Sequence, residues 1–170
     1  MGVMKKLTQD ILHQFEILLK NIRTTLLSVS DEEFLKPIGK FPLWKHMYHC
    51  LHSMDQWLIN PFDYTEPDFH VENLKSLVTG SEKILYKSDL VKYFAGVASK
   101  AVDYLSKLSD DELIEKPENC KYDRLSLING QMRHASYHIG FIQMGIYAAT
   151  GRWIDFTGMD TAVDINEIIG

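Results

Sequence analysis

Cysteine is scarce: Cys50 and Cys120 are the only two in 170 residues and form no C-x-x-C pair. That is too few for a disulfide scaffold and points to a reducing compartment. Glycine and proline are also sparse, at ten and five residues. They cluster between periodic segments instead of interrupting them, which favours helices. No apolar run approaches the roughly 20 residues needed to span a bilayer, and the opening residues form no leader-like apolar stretch. These absences lead us to expect a cytoplasmic protein without a membrane partner. An excess of positive charge is missing too, with 18 Lys and Arg against 23 Asp and Glu, a formal charge of -5 and a pI near 5.8. Direct contact with nucleic acid is therefore not expected.

What remains is ordinary globular composition, 45% hydrophobic and 24% charged, and the length suits a single domain over residues 1–170. Four stretches carry helical periodicity. The first, from about Thr8 to Ser28, repeats Ile11, Phe15, Leu18, Leu19, Ile22 and Leu26 at the spacing of one buried stripe. Ser30 then caps a short acidic turn that Pro37 and Gly39 close. A second helix begins at Pro42 and ends at Asn60-Pro61, a third follows Ser88-Asp89, and a fourth runs from about Ser126 to Thr150 with Gly151 as its cap. Between the second and third lies a connection, Pro61 to Lys87, that has no sustained period and is too long for a spacer. It is expected to line or cover a site, with Tyr64, Phe69, Tyr86 and Tyr93 as available aromatics. No run shows the alternation of a strand. The expected fold class is all-α, a four-helix bundle with a long crossover connection between helices two and three. The tail around Trp153 and Phe156 is expected to pack against its own bundle.

Seven histidines stand out, five of them in two helical clusters: His46, His49 and His52, and His134 with His138. The latter pair is four residues apart, so both rings share one helix face, as two ligands of one metal must. The wheel places them beside Leu127, Gly130, Phe141, Gly145 and Ala148, an inward face with small residues. One more ligand from the second helix would complete a three-histidine set with an open position. Periodicity does not choose among His46, His49 and His52, and it predicts that at least one of them faces solvent. Cys50, set among apolar residues, reads as core. Glu16, Asp55 and Tyr48 are the available acids and bases, with Glu16 and Asp55 expected on solvated helix faces.

The segment Phe41-Pro42-Leu43-Trp44-Lys45-His46-Met47-Tyr48-His49-Cys50-Leu51 and the segment Arg133-His134-Ala135-Ser136-Tyr137-His138-Ile139-Gly140 carry the patterns W-x-x-x-Y-H-x-L and R-H-x-x-x-H-x-G. With them the chain resembles the DinB/YfiT-like metalloenzyme superfamily over nearly its whole length. The resemblance implies a four-helix bundle holding a divalent metal ion, nickel or zinc, on His49, His134 and His138. Some branches of that superfamily place the ligand after a Trp and before an acidic residue at a spacing that Trp44, His52 and Asp55 also fit, so His52 is the alternative for the second-helix ligand; His46 is read as a neighbour of the site or a surface residue. Characterised relatives of that superfamily imply hydrolase chemistry or thiol-dependent transfer, in which a metal lowers the pKa of a water or of a low-molecular-weight thiol. A small-molecule substrate and a homodimer are the partners the resemblance implies. The other expectation is a non-catalytic, stress-related metal-binding bundle.

Overall fold

The computed structural model describes residues 5–159 and 161–169. The described chain is mostly helical. Helix α1 spans Lys6–Ser28, α2 Asp31–Leu35, α3 Leu43–Trp57, α4 Lys87–Lys107, α5 Arg124–Thr150 and α6 Ile165–Ile169, with a single 3-10 turn at Asp111–Ile114. Among the described residues, no helix is long and apolar enough to cross a membrane.

The four long helices pack as neighbours in a closed circuit, α1 on α4, α4 on α3, α3 on α5 and α5 on α1. Each contributes one apolar stripe to a shared core. Phe15, Leu19 and Ile22 of α1 meet Met47, Leu51 and Met54 of α3, Leu90, Ala98 and Ala101 of α4, and Ile128, Ala135 and Ile142 of α5, all inaccessible to solvent. Apolar burial at about 25 cal/mol per Å² makes this cluster the main force holding the helices together.

Local signals set the helix ends. The Ser30 hydroxyl accepts from the Glu33 N–H and the Glu33 carboxylate accepts from the Ser30 N–H, a capping box that starts α2. Asp123 caps α5 by accepting from the Ser126 N–H at 2.7 Å, and Gly151 ends it in the left-handed conformation, φ 70°. The start of α1 has no local cap. Its Leu7 and Thr8 N–H groups donate instead to the carboxylate of Asp110, more than 100 residues away in sequence.

Two short strands escaped the sequence pattern. β1 (Pro37–Ile38) and β2 (Phe41–Pro42) pair antiparallel around Gly39, whose φ of 65° suits a tight turn. At two residues each they are too short to show alternation. The hairpin lies on α5 at Gly145, where an added Cβ would come within 2.5 Å of the Ile38 side chain. The tail departs from expectation as well: Ile154 and Ile168 enter the core, whereas Trp153 and Phe156 stay largely exposed. Trp153 finds its partner in Tyr147, ring on ring at 4.6 Å.

Candidate metal centre

Packing of α3 against α5 brings His49 to His134 and His138. The Nε2 atoms of His49 and His134 are 3.3 Å apart, and those of His134 and His138 3.0 Å. One coordinating atom from each of the three rings lies within 4.8 Å of the others. His138 is buried on the packed stripe of α5 with Gln131, Ala135 and Ile142, while His49 and His134 are half-buried at its edge. The wheel's face of small residues is therefore displaced: Phe141 and Ala148 are exposed, and the packed stripe runs through Ile139 and Ile142.

The Nδ1–H of His49 donates to the backbone carbonyl of Lys75 at 2.8 Å. A carbonyl only accepts, so this bond assigns the proton to Nδ1 and directs Nε2 at the other two rings. Burial, with His49 and Arg133 adding to it, lowers the pKa of His134. Burial, reinforced by His49, His134 and His46, lowers that of His138 to about 3. Both are neutral at pH 7, the form in which imidazole ligates.

Neutral rings do not satisfy this arrangement by themselves. The His134 Nε2 carries either one proton or one lone pair, so at most one of its two contacts is a conventional hydrogen bond. The Nδ1 atoms of His134 and His138 are buried without a protein partner among the described residues. A cation would resolve the Nε2 contacts, though not the two Nδ1 atoms on the far sides of the rings. In tetrahedral coordination with Zn–N bonds of 2.0–2.1 Å, ligand atoms stand about 3.3 Å apart, close to the two separations here. The donor set is three imidazoles, suited to zinc, nickel, copper or iron.

His52 points elsewhere. It is 1% exposed, and its Nε2 lies 2.5 Å from the Glu66 carboxylate in the connection between α3 and α4. His46 is also buried; its Nε2–H donates to the Ile38 carbonyl and its ring packs on Phe141. None of the three α3 histidines thus faces solvent. The helical wheel assumes one covered side, whereas α3 is covered by α4, α5, the hairpin and the connection together.

Other candidates are fixed in place. Asp55 is not on a solvated face: its carboxylate accepts from Tyr64, Tyr93 and Lys100 at 2.7–3.0 Å. Burial raises the Glu16 pKa, partly opposed by His13. Tyr48 is fully buried, its hydroxyl 2.7 Å from His70 Nδ1, and burial pushes its pKa up. Burial also pushes the Cys50 thiol up to about 12, which removes it as a nucleophile at pH 7. A cavity of about 530 Å³ lies between the connection and α4, lined by Asp55, Phe69, Lys83, Tyr93 and Val97. The three histidines do not border it.

Sequence reasoning missed Glu66, His70 and Lys75. They lie in a segment without period, and the functional group of Lys75 at His49 is a backbone carbonyl, which no side-chain pattern reveals. Compared with known proteins, the chain matches no family model, no curated protein and no solved structure.

Proposed function

We propose that this chain is a divalent-metal-dependent enzyme of the DinB/YfiT-like kind, with nickel or zinc held by His49, His134 and His138 and with hydrolysis or low-molecular-weight-thiol transfer as its chemistry. The same reading takes the circuit of α1, α3, α4 and α5 as a four-helix bundle whose crossover is the connection from α3 to α4. The observation that carries it is the convergence of three imidazoles, with His134 Nε2 3.3 Å from that of His49 and 3.0 Å from that of His138, and with His49 oriented by the Lys75 carbonyl.

The chain's own residues do two things here. Burial keeps His134 and His138 unprotonated, so little proton competition opposes binding. The Lys75 carbonyl fixes the His49 tautomer, so the ring is oriented before any ligand arrives. A divalent ion held by these three residues would leave a position open to a water or thiol and would lower that group's pKa toward about 7. A group of three ligands favours this reading over a closed structural site, which takes four.

Elemental analysis of the 170-residue chain tests the reading. About one equivalent of nickel or zinc should disappear from this site in His138→Ala and in His49→Ala. Full metal content in both variants would sink it.

A further inference from the structure

A second cluster of donors lies beside the first, on different residues. His52 of α3 faces Glu66 and His70 of the connection, and one coordinating atom from each lies within 4.8 Å of the others. The Glu66 Oε2 stands 2.5 Å from His52 Nε2 and 3.7 Å from His70 Nδ1, and the two imidazole rings are 5.0 Å apart. We infer that His52, Glu66 and His70 form a second divalent-cation site, of the two-histidine, one-carboxylate type that takes zinc or iron(II).

Three features separate this group from a chance ion pair. Its members come from two segments, so the folded connection assembles them. Two members are held from outside: Lys75 Nζ donates to Glu66 Oε1 at 2.7 Å, and packing against Tyr48 and Tyr64 fixes the His52 ring; the Tyr48 hydroxyl lies 2.7 Å from His70 Nδ1, the nitrogen that faces Glu66, and yields it when an ion binds there. Lys75 occupies Oε1 alone, which leaves Oε2 turned to the imidazoles. The Glu66 side chain is 39% exposed and His52 only 2%, a gradient from solvent into the fold along which an ion can arrive. The set differs in kind from the first: a carboxylate contributes negative charge here, whereas the other group has imidazoles only. This inference does not depend on what the three-histidine group binds.

The test is a zinc count on the full chain, stripped with chelator, re-equilibrated with Zn²⁺ and desalted, with helical circular dichroism as the folding control. We expect two equivalents in the parent and one in each of Glu66→Gln and His70→Ala. His138→Ala should also hold one, and the His70→Ala, His138→Ala double variant none. Glu66 and His70 lie outside the helices, and Glu66→Gln keeps the shape of a part-exposed side chain; His70→Ala takes the partner from the buried Tyr48 hydroxyl, so its circular dichroism must match the parent before its zinc is counted. Unchanged zinc in either Glu66→Gln or His70→Ala overturns the second site. If the parent holds one equivalent that His138→Ala loses and His70→Ala keeps, only the first reading stands. If His70→Ala loses it and His138→Ala keeps it, only the second does.

Discussion

His49 is anchored to a main-chain atom of Lys75, at 2.8 Å, while the side chain of the same lysine reaches Glu66 at 2.7 Å. One residue of the connection thus serves both histidine groups by different parts of itself. Lys75→Ala should therefore leave the three-histidine group intact, because the carbonyl stays, and loosen only the group around Glu66. Zinc titration of Lys75→Ala in a Glu66→Gln background, where the first group alone remains, should match Glu66→Gln by itself. A drop of about tenfold or more, the size expected when an orienting partner is lost, would show that the side chain also matters to His49.

Acid should destabilise the metal-free protein. Burial holds His138 at about 3, and it lowers His46, His52 and His134 from the ordinary value of 6.5 as well. Below 6.5 the unfolded chain therefore binds protons that the folded chain refuses. Stability is complete above that value and falls as the pH drops through each lowered pKa, for His138 down to about 3, by up to about 1.4 kcal/mol per pH unit for each such histidine. Urea midpoints from about pH 7 to about pH 4 should decline, and less steeply in His138→Gln. A flat profile would contradict the burial of these rings.

Asp55 gathers two tyrosine hydroxyls and one ammonium beside the large cavity. Asp55→Ala removes the shared acceptor and leaves the half-buried Tyr93 hydroxyl unpaired, at a cost of about 2 kcal/mol in unfolding free energy. Urea denaturation measures it, and a loss below about 1 kcal/mol would mean that water replaces the carboxylate.

Two glycines of α5 should respond oppositely to alanine. At Gly140 a Cβ meets nothing within 4 Å, so Gly140→Ala should gain up to about 1 kcal/mol of helix propensity. At Gly145 the same Cβ collides with Ile38, so Gly145→Ala should be the less stable of the pair by about 1 to 3 kcal/mol. Thermal melts of the two variants decide it. Equal melting temperatures would place the hairpin farther from α5 than the contact at Ile38 requires.

The helical elements were legible because each long helix carries one apolar stripe, and the end of α5 was written in Gly151, whereas its start, capped by Asp123, comes two residues before the expected Ser126. The shared face of His134 and His138 was legible for the same reason, since four residues make about one turn. Which α3 histidine meets them was not legible from periodicity. That depends on how four neighbours surround α3, and a wheel describes one helix in isolation. It is His49 that lies against His134, while His52 turns to Glu66. The connection from α3 to α4 was visible as too long to be idle, yet its contribution at His49 is a carbonyl that every residue type possesses.

The Asp110 carboxylate that terminates α1 gives the helix an unusual order of protection. Its first amides, on Leu7 and Thr8, are tied to the turn after α4 instead of to their own neighbours in sequence. Hydrogen exchange at those two positions therefore follows the undocking of that turn, not the fraying of a helix end. A helix start that would ordinarily exchange within the dead time becomes a reporter on whether the two ends of a stretch of more than 100 residues are still joined.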